Sequence, residues 1–479
     1  MEYQFDTETE QIFSSLTKYA SDKNPVYLVG GIVRDILLNY PIHDIDIAYC
    51  GDVKEYSKKV ADNLGAKFFM LNEEFQTARI IYTTQSKKRR WIDIIAVREN
   101  NINRDLFLRD FTVNAIAIDL YNRKKIIDPN GGAKDLKNRI LRVTNPNSIV
   151  DDPVRILRAI RLSVQFGWKM ANETIIAIRE NSKLLSQVTR ERKRDEIFKI
   201  LNLPNPATAL RLMEHLNLLE SSFPDFVTYS ERNESDQLHF ENQIKLVEKF
   251  VEFENLIIKR EKNKIAMNIY QAELLMSFGG FRPQLCDYFQ KTIHQDRNLR
   301  SLFIFCILCV TENLNNPVGP TALKSIQKEW VFTKSEMNWI NSFWKYMATI
   351  ENRINNIQPL SPIIAHQFFD SSKISGIAIC VYTILESLLQ GINSKQEKNW
   401  KNNFSVCKYL MDAYFNHYDQ WINPEIGING HEIKRILKIN DGKVIGEILS
   451  DLTLKIVNGE LKERQDVIDY LKSNYKDVK

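Results

Sequence analysis

Residues 28–47 read LVGGIVRDILLNYPIHDIDI, and this stretch decides how the N-terminal part of the chain folds. Val26 to Val29 has the apolar, β-rich character of a short buried strand. Gly30 and Gly31 follow at once; glycine permits positive φ and a close backbone approach to a ligand just before the helix pattern IVRDILLN. The N–H groups exposed at that helix start suit phosphate oxygens. Arg34, one turn in, adds a charge-assisted contact to the same group. Asp44 and Asp46 alternate with Ile45 and Ile47, so on a strand both carboxylates project from one face and both isoleucines from the other. Two carboxylates on one face suit a cation. Mg²⁺ is commonly held by one or two carboxylates plus substrate phosphates, and a pair of ions activates an attacking hydroxyl while stabilising a leaving pyrophosphate. Asp93, in WIDIIAV, repeats the strand pattern and is a candidate third carboxylate on a neighbouring strand.

Working outward, residues 26 to about 130 carry short β-rich runs: VYLVGG, DIDIAY, KFFML, ARIIYTT, WIDIIAV, VNAIAIDL and KIID. Helical patterns such as VKEYSKKVADNLG come between them, which predicts an α/β or α+β domain built on one sheet. After DPNGG at 128–132 the strand signals largely stop, and long helix-period segments follow to the end of the chain. The Asn, Pro and Ser of VTNPNSIV mark a boundary near 145–150. The expected division is 1–147, 148–225, 226–420 and 421–479, the last opening WINPEIGINGHEIKRILKINDG with turns between short helices.

The composition agrees with a packed globular chain of more than one domain: 479 residues, 44% hydrophobic and 26% charged. A net charge of +5, from 65 basic against 60 acidic residues, means that any nucleic-acid surface is local. KKRR at 87–90 and RERKR at 190–194 are the local basic runs; each could meet phosphates, and a short basic run is more commonly a solvated face. Six cysteines in a chain this long do not make a disulfide framework and suit a reducing, cytoplasmic setting. Cys306 and Cys309 lie in the apolar run LFIFCILCV, which reads as a buried helix, not a zinc site. That run, at 302–310, is short of the ~20 residues needed to span a bilayer, so no membrane is expected. The acidic start MEYQFDTETEQIF lacks the order of a signal peptide.

A lone D-x-D is common on protein surfaces. The string G-G-x-V-R-D-x-L-L with D-x-D at this spacing is far more specific, and it resembles the active-site signature of the class II tRNA nucleotidyltransferase and poly(A) polymerase family of the polymerase-β superfamily. Four further stretches match in order: LRDFTVNAIAID at 108–119, DPNGGAKDLKNRILR at 128–142, DDPVRILRAIR at 151–161 and VTRERKRDEIFKIL at 188–201. The resemblance covers roughly residues 26 to 201 and implies a polymerase-β-type head followed by a largely all-α, elongated C-terminal half. It implies that Asp44 and Asp46 are metal ligands, that Gly31, Arg34 and Arg109 contact the nucleotide, and that Asp110 and Asn114 lie near its ribose. It also implies that Asp152 and Arg155 read the Watson–Crick edge of the incoming base, accepting C and A over U and G by a carboxylate and a guanidinium. Arg158 and Arg161 would hold phosphate or base. Asp152 before Pro153 has a plainer reading as well, an N-cap that opens a helix.

Three positions depart from the family pattern: Leu108 replaces an arginine, Asp151 replaces a glutamate, and Gln76 sits where glycine is common. The segment between Asp93 and Arg109 is short, where full CCA-adding members often carry a longer loop. The tail resembles that of long bacterial members with an HD-type domain. Here ELLMSFGGF at 273–281 stands in place of the HD dyad, with His239 the one candidate remnant, and no metal hydrolase is expected.

These readings converge on a template-independent transferase that adds C and/or A from CTP and ATP to a tRNA 3′ end, making all of CCA or only its CC or A part, with Mg²⁺, two ions, as cofactor. Poly(A) polymerase is the alternative, and an inactive RNA-binding relative is the alternative of another class. Arg190, Arg192 and Arg194 are the candidate tRNA contacts, and no protein partner is inferable.

Overall fold

The computed structural model describes residues 5–42, 44–84, 87, 89–123, 125–223, 234–259, 269–309, 320–354, 360–389 and 394–475. Lys88 of the basic run lies outside them, as does the side chain of His239.

All seven strand-forming runs enter one sheet. The strands are β1 (Val26–Val29), β2 (Ile45–Tyr49), β3 (Lys67–Asn72), β4 (Thr77–Thr83), β5 (Arg89–Ala96), β6 (Ala117–Asp119) and β7 (Ile126–Ile127). Their order is β3-β4-β5-β2-β1-β6-β7. β2 and β5 are parallel and every other neighbouring pair is antiparallel, so the sheet is mixed. The chain leaves β2, crosses through helix α1 (Val53–Leu64) and the β3–β4 hairpin, and returns on β5 beside β2.

Period-2 patterning accounts for the way the sheet lies. On β2, β4 and β5, Ile45, Ile47, Ala78, Ile80, Ile92 and Ile94 are fully buried, while the residues between them are partly or fully exposed. The buried face meets α1 through Val53, Tyr56, Val60 and Ala61. Asp52 caps α1 by accepting from the Glu55 N–H at 2.9 Å, and Gly65 ends it at φ +61.

Two sequence expectations change here. Strand β2 starts at Ile45, so Asp44 lies just before the strand and is exposed, while Asp46 lies within it and is half-buried. Asp152 has extended backbone and its carbonyl accepts from the Arg155 N–H at 3.0 Å, but its carboxylate does not cap the following helix α2 (Arg155–Phe166). That carboxylate goes to Arg192 instead.

The chain divides into two compact units, Met1–Leu203 with Leu212–Ser222, and Pro204–Arg211 with Phe223–Lys479. The first therefore runs through the composition shift at 145–150 and includes α2 and α3 (Arg190–Leu201). Its described part also holds a small parallel ladder, Ile140–Leu141 with Lys169–Met170, which the sequence did not announce.

Among its described residues the second unit is helical apart from the two-stranded ladder Thr292–His294 with Arg297–Asn298. The helix Leu299–Leu308, which holds Cys306, is buried at every residue but Arg300. Pro362–Leu389 is long and apolar enough to cross a membrane by length and composition, yet it consists of a helix, a 3-10 turn at Lys373–Ser375 and a second helix, and 72% of its apolar window is buried within the protein. Glu336 is fully buried, and it is ion-paired to Arg297 at 2.5 Å while accepting from the Thr333 N–H at 2.8 Å. Glu254 is held by Arg300 at 2.7 and 2.8 Å. At the C-terminus, helices Gly430–Leu437, Gly442–Val457 and Arg464–Asn474 close around their own core of Ile433, Ile448, Leu452, Val467 and Leu471.

Candidate active site

The parallel pairing of β2 with β5 sets Asp46 directly opposite Asp93. Gly30, between β1 and the following helix α-turn, has φ +76 and ψ −141, a conformation that other residues adopt only under strain. A Cβ there would stand 3.1 Å from Asp46 Oδ2 and 3.5 Å from Arg109 Nη1. The backbone conformation favours glycine, and a side chain would in addition crowd the Asp46 carboxylate. Burial pushes the Asp46 pKa up to about 6, with Asp93 and Asp44 adding to the rise, and Arg109 and Arg158 opposing it. The anion is left under-compensated, and a cation beside it would relieve that.

Asp93 is not free in the same sense. Arg79, its register partner on β4, donates to both of its oxygens at 2.7 Å. Among the described residues no three His, Cys, Asp or Glu side chains could hold a metal by themselves. The donor set nonetheless fits a hard divalent ion: two carboxylates, Asp44 exposed and Asp46 with its pKa raised, to which substrate phosphate oxygens would add the rest.

Behind these acids runs a buried polar chain. Arg34 Nη1 donates to Asn114 Oδ1 at 2.9 Å, Asn114 Nδ2 donates to Asp110 Oδ1 at 3.2 Å, and Arg158 lies 3.0 Å from Asp110 Oδ2 as an ion pair. Burial would raise the Asp110 pKa, but Arg158, the Phe111 N–H, Arg155 and Asn114 outweigh it and hold the carboxyl below its usual range. Arg34 Nη2 lies 3.4 Å from where a Gly31 Cβ would stand, and the Arg34 guanidinium also packs 4.7 Å over the Phe166 ring. Arg109 is anchored by Asp105 Oδ2 at 3.0 and 2.9 Å. Gly30, Gly31, Arg34, Asp46, Arg109, Asp110, Asn114 and Arg158 are therefore linked in one neighbourhood.

The other candidates have different settings. Arg155 donates to the carbonyls of Leu108, Arg109 and Ser148 at 3.0, 3.2 and 3.1 Å, and to Ser148 Oγ at 2.9 Å. Asp152 accepts from Arg192 Nη2 at 2.8 Å, so the two members of the expected base-reading pair turn to different partners. Arg161 is paired with Glu196 at 2.9 Å. In the basic run, Arg190 and Arg192 are exposed, whereas Arg194 is buried and paired with Asp195.

Sequence reasoning passed over Arg79, Asp105 and Phe166. For Arg79 a signal existed: it occupies the outward phase of ARIIYTT, and aligning that strand with WIDIIAV places it against Asp93. Asp105 and Phe166 carried no such signal, since each acts through a contact that only the fold creates.

Comparison with known proteins bears on this arrangement. Residues 26–142 match the model of the poly(A) polymerase head domain, and residues 167–229 match that of the probable RNA and SrmB-binding site of polymerase A. A CC-adding tRNA nucleotidyltransferase of Geobacter sulfurreducens is 36% identical over 179 residues, 37% of this chain and 41% of that protein, so this match spans under half of the relative. A CCA-adding enzyme of Enterococcus faecalis is 26% identical over 454 residues, covering 92% of this chain and 90% of that one. Among solved structures, the Thermotoga maritima CCA-adding enzyme complexed with tRNA_CCA aligns with a TM-score of 0.61 at 25% identity, over 98% of this chain and 96% of that one. Head-domain match, ordered motifs and fold thus agree in their likeness to the class II tRNA nucleotidyltransferase and poly(A) polymerase family.

Proposed function

We propose that the chain is a template-independent tRNA nucleotidyltransferase that adds C and/or A from CTP or ATP to a tRNA 3′ end. The observation that carries this reading is the register of Asp46 against Asp93, with Gly30, in a left-handed conformation, in tight contact with Asp46. The terminal 3′-hydroxyl of the RNA attacks the α-phosphate in line, one P–O bond forms, one breaks, and pyrophosphate leaves. Asp44 and Asp46 would hold Mg²⁺, as one ion or two, which when bound supplies charge neutralisation at the phosphates and lowers the pKa of the attacking hydroxyl. Asp93, braced by Arg79, is the candidate third carboxylate on the hydroxyl side. Gly30 and Gly31 would let the triphosphate approach the backbone, Arg109 and Arg34, whose guanidiniums lie beside these glycines, would meet it, and the hydrogen-bonded Asp110 and Asn114 would lie toward the ribose. Positioning of this kind accounts for much of the catalysis in such displacements.

Asp152 and Arg155 are the proposed base readers. The carbonyl contacts of Arg155 fix where it stands, and Arg192 covers Asp152 until a base amino group displaces it. Arg158 and Arg161 back this surface. Segments 1–147, 148–225, 226–420 and 421–479 would serve as head, neck, body and tail, with exposed Arg190 and Arg192 as candidate tRNA contacts. Six cysteines with no disulfide among them suit the reducing cytoplasm.

The test is a product ladder from purified protein given tRNA lacking its CCA end, tRNA ending in CC, and an unstructured RNA. Addition that stops after one to three residues on tRNA supports the proposal. Long A tails on any RNA overturn it in favour of poly(A) synthesis, and no addition at all would leave an RNA-binding relative.

A further inference from the structure

The register that sets Asp46 beside Asp93 also determines what else shares their face of the sheet. One row across four strands runs Phe69, Arg79, Asp93, Asp46, and the next runs Lys67, Ile81, Trp91. The opposite face is packed into the core, but this one is open: Phe69 is 49% exposed and Trp91 is 42% exposed. Lys67 and Arg89 are exposed beside them. Large rings left in water on one face of a sheet, beside a polar site, suit a binding surface. Their interleaving with cations favours nucleic acid over an apolar protein partner, because bases stack on ring faces while Lys and Arg meet phosphates. A duplex hides its bases in the stack, so the fitting ligand is single-stranded.

The spacing also fits. With strands about 4.8 Å apart, Phe69 lies roughly 14 Å from Asp46 in the sheet, and Trp91 lies about 7 Å along β5 from Asp93. That leaves room for a few nucleotides running away from the reacting end. The basic run KKRR acquires a division of labour from the same alternation. Arg90 turns inward to donate to the Ile42 carbonyl at 3.0 Å, and Arg89 stays on the open side.

We propose that the open face of β3–β5 is a stacking platform for the single-stranded 3′ end of the RNA primer, with Phe69 and Trp91 under its bases and Lys67 and Arg89 on its phosphates. This rests on the reading of Asp46 as the transfer site, whose position gives the strand its direction.

The test is equilibrium binding of a six-nucleotide single-stranded RNA ending in CC to the full chain, alongside binding of CTP. Phe69→Ala and Trp91→Ala should each weaken the oligonucleotide roughly tenfold and leave CTP affinity within about twofold, since base stacking is worth this much per ring. Phe69→Tyr and Trp91→Phe keep the rings and should bind as the parent does. Unchanged oligonucleotide affinity in the alanine variants, equal loss in the ring-keeping variants, or no measurable binding by the parent overturns the platform. A parent dimer that Phe69→Ala dissolves would overturn it too, by assigning the rings to a second copy of the chain. The two proposals fail separately: ring-dependent RNA binding without nucleotide transfer sinks the enzyme reading, and normal transfer with ring-independent primer binding sinks only the platform.

Discussion

Asp46 in the first unit and Glu336 in the second are both carboxylates withdrawn from water, and their pKa values move in opposite directions. Burial raises Asp46 to about 6, because the arginines near it are answered by Asp93 and Asp44. Burial acts on Glu336 as well, but Arg297 and the backbone and hydroxyl of Thr333 outweigh it and hold the group below its usual value. The helical unit closes its buried charges within the chain, as it does again at Arg300 and Glu254. The head leaves one open. A buried charge without full compensation costs stability, and a fold retains one where a ligand completes it.

The largest effect expected from this contrast is on transfer. Asp46→Asn keeps the shape of the site and removes its charge, and should lower the rate of CMP or AMP addition by ~10³-fold or more, about 4 kcal/mol of barrier, in single-turnover assays. Transfer at near the parental rate would break the assignment of Asp46. Glu336→Ala should act on stability instead. It breaks a buried ion pair inside the helical unit and should cost ~3–5 kcal/mol in denaturant unfolding, while the N-terminal unit keeps CTP binding.

Smaller effects sharpen the comparison. Asp152→Ser removes the carboxylate that meets Arg192 and, by the base-reading proposal, should relax discrimination against UTP and GTP by roughly 10- to 100-fold, or ~1–3 kcal/mol, in competition assays. Because the Asp152 side chain caps no helix, melting should move little; a clear loss of stability with selectivity intact would contradict the role. Gln76→Gly is the mildest. Gln76 ends the β3–β4 turn at φ +43, where a side chain is strained, so glycine should stabilise by about 1 kcal/mol, less the loss of its hydrogen bond to the Glu73 carbonyl.

Much of this was readable before the fold was known, for physical reasons that differ by residue. Strands β4 and β5 were legible because one of their faces is core and the other open, which writes period 2 into ARIIYTT and WIDIIAV, while β1 is buried on both faces and shows instead as the continuous apolar run VYLV. Gly30 was legible because its positive φ favours glycine, where a side chain would also crowd Asp46. The glycine-preferring position at Gln76 appeared in the sequence only as a departure from a family habit, and its positive φ supplies the reason. What stayed hidden depends on partners distant in sequence. Asp152 looks like a cap beside Pro153 until Arg192 is brought to it across forty residues of chain. Arg194 looks solvated within RERKR, yet Lys193, Arg194 and Glu196 occupy the buried side of α3, so a helix that reads polar all round still packs one face inward. Arg155 looks available to a ligand until the carbonyls of Leu108 and Arg109 are folded against it.

The open charge in the head is the central claim, and unfolding of the metal-free protein tests it most directly. Asp46 has a folded pKa of about 6 against an ordinary 3.8, so the native state holds a proton that the unfolded chain releases in that window. Its contribution is complete below pH ~4 and is lost as pH rises through 6, by roughly 1–3 kcal/mol. Denaturant midpoints of the first unit's transition, followed for parent and Asp46→Asn at pH 5 and pH 8, with and without Mg²⁺ and CTP, separate the possibilities. Without ligand at pH 8, Asp46→Asn should be the more stable protein, and Mg²⁺ with CTP should stabilise the parent far more than the variant and reverse their order. A parent that is already the more stable of the two without ligand, or equal stabilisation of both by Mg²⁺ and CTP, would contradict it.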